Sequence, residues 1–255
     1  MSHKKYFTLS FDDGIEQDKK LIELLKQYGL QCTFNLNGGL LGEKNYVAYA
    51  GEIGFMNLPP RAKIRRSLFK TVNQYRIPAD EIAQVYAGFE IAAHAFMHEP
   101  FKGASAEKIN ESLDKDREVL SRFTNQPITG FAYPGGFSSE IAGKCLEKKG
   151  FLFGREAFTS DSFAWPADPF RYKPTCSHKS KNVFELIDKF LDAEAENEDL
   201  LFMMWGHSYE FDYGTENSSL EHMERVFEKI SGHNGIIYCT NSFAFADHAK
   251  NKNPK

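Results

Sequence analysis

Short runs of β-branched and aromatic residues alternate along the chain with longer stretches in which apolar side chains return every three or four positions. These are the patterns of a buried strand and of an amphipathic helix. Runs at Tyr6–Phe11, Cys32–Leu36, Phe89–Ala93, Ile128–Ala132, Phe151–Gly154, Leu200–Trp205 and Ile236–Thr240 predict seven strands. Between the first two, Leu21, Leu24, Leu25 and Tyr28 share one helical face, and Gly29 ends the helix. A second helix starts at an N-cap Ser105, carries Ile109, Leu113, Leu120 and Phe123 on one side and stops before Pro127. Further helices are expected at Glu140–Lys149, Val183–Ala193 and Leu220–Ser231. Strands alternating with helices make either an open doubly wound sheet or a barrel, and no Gly-x-Gly-x-x-Gly follows a strand. The barrel is the expected α/β architecture.

At 255 residues, with 42% of them hydrophobic and 14% aromatic, the chain can bury one large core, and we read residues 1–255 as a single domain. The stretch from Asn37 to Gly88 is far longer than a βα connection needs and holds Pro59-Pro60 and the basic cluster Arg61–Arg66. It is either a cap-like insertion lying over the active end of the barrel, where Asn35 and Asn37 would offer amides to a polar substrate, or a solvated basic helix. Asn251–Lys255 reads as a frayed tail.

A formal charge of −4 with both signs interspersed leaves no polycation to hold nucleic acid. No apolar run approaches the ~20 residues of a membrane span, and the polar N-terminus is too short for a secretory signal, so a cytoplasmic protein is expected. Cysteines 32, 145, 176 and 239 are too far apart for a metal knuckle or a dense disulfide framework and are expected to be reduced and buried.

Chemistry-bearing residues gather at predicted strand ends. Ser10-Phe-Asp12-Asp13-Gly14 closes the first strand, where βα loops build barrel active sites. Two adjacent carboxylates there either form a turn or are neutralised by a metal ion. His94 and His98, four residues apart after the third strand, suit a borderline divalent metal. His207, following Trp205-Gly206 at the end of an apolar strand, either transfers protons or serves as a structural histidine bonded to a neighbouring carbonyl.

Taken together, these motifs resemble those of the polysaccharide deacetylase family, the NodB homology domain, over about residues 6–245. Ser10–Gly14 is similar to that family's first motif, His94 and His98 to its His-x-x-x-His pair, and His207 to the histidine of its late motif. The resemblance implies a distorted (β/α)7 barrel with Asp12 as catalytic base, His207 as general acid, and Asp13, His94 and His98 holding one divalent ion. Zinc is the default, with cobalt, nickel, iron or manganese open. The implied reaction removes an acetyl group from an N-acetylated carbohydrate or another small amide. Water acidified by the metal attacks the amide, and the backbone N–H of Gly135 helps hold the oxyanion.

Two positions depart from the family pattern. Ala132 stands in Phe131–Gly136 where the third motif usually has arginine, and Ala164 stands in Asp161–Trp165 where the fourth motif has an acid. Arg171–His178 and Gly206–Asp212 resemble a variant branch. Arg155, one strand onward from Ala132, is the candidate replacement cation for Asp12, its other reading being a surface arginine paired with Glu156. Alternative functions are hydrolysis of another C–N bond, such as a cyclic ureide or imide, and a catalytically silent carbohydrate-binding barrel stacking sugars on the Tyr46, Tyr49 and Tyr86 region. Oligomeric state is not legible.

Overall fold

The computed structural model describes residues 3–49, 55–58 and 70–252. Its strands are β1 (Lys5–Asp12), β2 (Thr33–Leu36), β3 (Lys44–Tyr49), β4 (Phe55–Leu58), β5 (Lys70–Tyr75), β6 (Glu90–Ala93), β7 (Gly130–Ala132), β8 (Phe153–Arg155), β9 (Cys176–Ser177), β10 (Leu200–Gly206) and β11 (Ile236–Tyr238). The helices are α1 (Asp18–Gln27), α2 (Ala79–Val85), α3 (Ala106–Leu120), α4 (Glu140–Lys148), α5 (Val183–Asp192), α6 (Leu220–Ile230) and α7 (Asn241–Lys252).

The main sheet is parallel, in the order β8-β7-β6-β2-β1-β10-β9, with β11 also paired to β1. From Tyr6 to Asp12, β1 is buried at every residue, as a strand covered on both faces must be. The sheet curls because the chain from Tyr172 to Ser177 reaches from one edge to the other. Tyr172 bridges Arg155 in parallel and donates its N–H to Gly154, while the Thr175 N–H bonds to Met203 and β9 pairs with β10. The α/β barrel read from the sequence is therefore the observed one. Serines cap its outer helices: Ser105, Ser139 and Ser219 each accept a backbone N–H of the first turn, at 3.5, 3.1 and 3.1 Å.

All seven expected strands are present, with differences at their ends. The main sheet has an eighth strand, β9, two residues long and too short to leave a periodic signal. Arg155 is the last residue of β8 instead of following it. The run expected to extend to Thr240 stops at Tyr238, and Thr240 accepts the Ala244 N–H at the start of α7. Asn251 and Lys252 end that helix instead of fraying, and residues 253–255 lie outside the described ones. Helix α7 is held by stacking of Phe245 on Phe153 and of His248 on Trp165. All four cysteines are buried with free thiols.

The described part of the long insertion holds an antiparallel sheet, β4-β3-β5, followed by α2. Pro59-Pro60 and Arg61–Arg66 lie outside the described residues. The sheet is stitched to the loop after β1. Glu16 N–H bonds to Tyr75, Ile77 N–H bonds to Gly14, and Ile15 bridges Arg76. Val47 and Val72 pack there on Ile15, Tyr209 and Tyr213.

At the end of β10, buried Gly206 lets the His178 ring lie directly against the backbone, since a Cβ there would sit 2.0 Å from His178 Nδ1. Gly206→Ala is therefore expected to destabilise the fold by about 1–3 kcal/mol or more, the usual range for overpacking. Thermal unfolding measures it, and an unchanged midpoint would mean that His178 has room to retreat.

Candidate metal and acid–base site

The seven candidate residues gather at the C-terminal rim of the barrel. Asp12 ends β1 with Asp13 directly after it, His94 follows β6, Gly135 lies beyond β7, Arg155 ends β8 and His207 follows β10. His98 returns to the same rim from the turn after β6. Backbone strain concentrates in these turns. Among the described residues, non-glycine positive φ occurs at Asp13 (80°), Ala95 (58°), His98 (56°) and Asp161 (52°), and the first three belong to the two candidate ligand loops.

Asp13, His94 and His98 bring one ligand atom each to within 4.8 Å of one another. The Nε2 atoms of His98 and His94 lie 3.5 and 3.9 Å from Asp13 Oδ1. His94 Nδ1 is 2.8 Å from the Ala132 carbonyl, which fixes the proton on Nδ1 and leaves the Nε2 lone pair facing Asp13. Burial lowers the His94 pKa to about 4, so this imidazole is neutral and able to ligate at neutral pH. For Asp13, burial acts to raise the pKa, but the positive charges of His98 and Arg76 outweigh it and hold the carboxyl well below the usual range. Two imidazoles and a carboxylate, with the imidazole orientation fixed from behind, are a donor set that suits a divalent ion such as zinc.

Asp12 is divided between two tasks. Its Oδ1 accepts from the Arg155 guanidinium and from Asn35 Nδ2 at 2.9 Å, while its Oδ2 lies 4.0 Å from His207 Nε2. Burial pushes this carboxyl up, but Arg155, then His94 and His207, bring it net below the ordinary value. Ala132 and Arg155 are register partners on neighbouring strands, so the guanidinium enters beside the small side chain. Arg155 is fully buried, bonds the Glu156 carbonyl at 3.2 Å and lies 5.0 Å from the Trp205 ring centroid. On the other side of His207, Nδ1 is 3.8 Å from Glu210 Oε1. Glu210 is itself buried, ion-paired with Lys179 and 3.6 Å from His178 Nε2.

Asp12, Asp13, His94, His98 and His207 line one cavity of about 230 Å³ together with Gln74, Tyr133, Gly135, Gly136, Ala157, Trp205 and Tyr209, and Arg155 lies buried behind Asp12. A larger depression of about 520 Å³, between Phe96–Ala104 and α3, contains none of the ligand or acid–base candidates.

Several expectations change. The Asn35 amide nitrogen is not offered to a substrate, because it donates to Ser10 Oγ and Asp12 Oδ1. Asn37 bonds the carbonyls of His94 and Ala95, bracing the ligand loop. Tyr86 is buried and donates to Asp18 at 2.7 Å, which removes it as a sugar platform, while the Tyr46 hydroxyl is 2.7 Å from that of Tyr75. Gln74, Arg76, Trp205 and Glu210 were not singled out by sequence reasoning. Trp205 and Glu210 stand within the Trp205–His207 and Gly206–Asp212 stretches, whereas Gln74 and Arg76 lie in no motif and reach the site only through tertiary packing.

The rim thus combines a candidate acid–base pair with a candidate metal-ligand set on one cavity. A sequence model of the polysaccharide deacetylase family matches residues 1–154, and the chain belongs to that family, whose members are deacetylating hydrolases. A search of curated proteins found no match. Among solved structures, PuuE allantoinase is similar with a TM-score of 0.63 at 14% identity, over 100% of this chain and 92% of its own. A protein of Mycobacterium smegmatis described as a polysaccharide deacetylase gives 0.62 at 14% identity, over 99% of this chain and 92% of that one. A family 4 acetyl xylan esterase from Clostridium thermocellum, solved with a cobalt ion, gives 0.53 at 13% identity, over 94% and 90%. At these identities the likeness is one of fold.

Burial also lowers the His178 pKa, from 6.5 to about 4. A folded-state pKa below the unfolded one means the fold resists protonation. This costs nothing above about pH 6.5 and removes stability as pH falls from there toward 4. The stability lost between pH 7 and pH 5, measured by urea unfolding, should therefore be smaller in His178→Asn than in the unmodified protein. An equal loss would show that His178 does not resist protonation.

Proposed function

We propose that this chain is a metal-dependent deacetylase that removes an acetyl group from an N-acetylated sugar, a sugar conjugate or a similar small amide. The observation that carries this reading is the convergence of Asp12 and His207 with Asp13, His94 and His98 on a single cavity. A divalent ion held by the last three, zinc by donor type, would supply Lewis acidity toward an acetamide carbonyl and toward water. The cobalt ion solved with the Clostridium thermocellum esterase lends support to a metal in this fold.

Asp12 is the base. Arg155 and Asn35 occupy Oδ1 and keep the carboxylate ionised, so Oδ2, toward His207, is the oxygen that takes up a proton from attacking water. The Gly135 N–H, in a left-handed turn lining the cavity, donates to the developing oxyanion. His207 gives its proton to the leaving amine, and Glu210 Oε1 stands 3.8 Å behind its Nδ1. The four separated, buried and unbridged cysteines support a cytoplasmic setting. Similarity to PuuE allantoinase over the whole chain favours one second reading, hydrolysis of a ureide-type C–N bond on the same residues.

Zinc-loaded protein should release acetate from N-acetylated chito-oligosaccharides. Asp12→Asn and His207→Ala should each reduce kcat by about 10²–10⁴-fold while the fold is retained. Ring opening of a cyclic ureide, read as one new carboxylate and the gain of one water in mass, without acetate release from any N-acetyl sugar would transfer the assignment to the second reading. Arg155→Lys should be nearly as damaging as Arg155→Ala, because an ammonium does not reproduce the planar fork that meets Asp12. Near-normal kcat in Arg155→Lys would reduce the role of Arg155 to charge alone.

A further inference from the structure

Two buried side chains from the insertion reach the candidate metal centre, and the acid–base scheme uses neither. Gln74 Nε2 donates to Asp13 Oδ2 at 2.8 Å. Arg76 Nη2 lies 3.2 Å from Asp13 Oδ1, the oxygen that also faces His98 and His94. Both are nearly solvent-free, at 6% and 5% exposure. We propose that they form a clamp that sets the affinity of the centre for its divalent ion, Gln74 by aiming the Asp13 carboxylate and Arg76 by competing for it. The proposal rests on the reading of Asp13, His94 and His98 as the metal ligands.

The backbone explains why the competing cation is built in. Arg76 directly follows β5, bridges Ile15 across the loop after β1 and donates its N–H to Glu43. Its side chain is therefore delivered to Asp13 by strand pairing. Without the ion, Asp13 is a buried carboxylate, and Arg76, 3.2 Å from its Oδ1, supplies a permanent counter-charge. With the ion, a guanidinium on the same oxygen is a like charge at close range, and little water intervenes to screen it. Asp12 has Arg155 as its own partner, so Arg76 is not shared with the base. Gln74 acts in the opposite direction. It carries no charge and fixes the second carboxylate oxygen, as outer partners of metal ligands commonly do, at a typical cost of about 10–100-fold in affinity when removed.

Zinc affinity of the full-length protein, measured by competition with a chromophoric chelator, tests both halves without reference to turnover. Arg76→Met should bind zinc at least about tenfold more tightly, and its metal-free form should melt below the unmodified metal-free protein. Arg76→Lys, which keeps the charge, should stay close to the unmodified affinity, and Gln74→Leu should bind about tenfold more weakly. Should Arg76→Met fail to fold, Arg76→Gln keeps a donor without the charge and must show the same tightening. Equal or weaker zinc binding in a folded, uncharged Arg76 variant overturns the role of Arg76, and unchanged affinity in Gln74→Leu overturns that of Gln74. Absence of zinc binding by the unmodified protein would instead remove the metal assignment on which the clamp rests.

Discussion

The buried pair between Arg155 and Asp12 is the constraint around which the rim is arranged. A guanidinium with no solvent contact survives only if its charge is answered, and breaking such a pair typically costs about 3–5 kcal/mol because the remaining charge stays buried. The two residues sit on β8 and β1, with β7, β6 and β2 between them in the sheet, so their contact is a chord across the barrel interior. That chord needs room at Ala132 and a flat partner at Trp205, and both are present. It also leaves Asp12 with one oxygen committed and one open toward His207, a division of labour that a solvent-exposed aspartate would not maintain.

The insertion belongs to the same electrostatic arrangement. Two adjacent carboxylates at the end of β1 each receive a separate arginine from a distant part of the chain, Asp12 from β8 and Asp13 from the residue after β5. Without both, burial would drive at least one of the acids toward its neutral form. The strained φ angles of Asp13, Ala95 and His98 have the same logic. They aim side chains from sharp turns, and the surrounding hydrogen bonds, including those of Asn37 to the His94 and Ala95 carbonyls, hold those turns in place.

The sequence made much of this visible because the main strands are continuous apolar runs and the acid and histidine motifs lie where those runs stop. Asp12, Asp13, His94, His98 and His207 could be picked out locally, and Arg155 could be found by asking where a cation missing at position 132 would re-enter. What stayed hidden depends on contacts between distant segments. Arg76 looks like any arginine at the end of a polar strand until β5 pairs with the loop after β1. Asn35 and Asn37 stand next to the site in sequence and in space, but local pattern cannot reveal that their amide nitrogens already donate within the protein. β9 is too short to carry a period, and α7 gains its order from Phe153 and Trp165 and from little in its own amphipathicity.

The partners of Asp12 have a consequence for how the protein comes into being. Arg155 lies 143 positions along the chain, and β1 also pairs with β10 near the other terminus. Contacts of such long range are the slow ones in folding, since loop-closure entropy is lost before they form. Asp12 and Arg155 therefore meet only when the barrel closes, and His207 arrives with β10. A chain emerging from the ribosome carries Asp12 and Asp13 early but cannot assemble the rim cluster until the residues through β10 have been made. The assembled rim is thus a mark of completed folding.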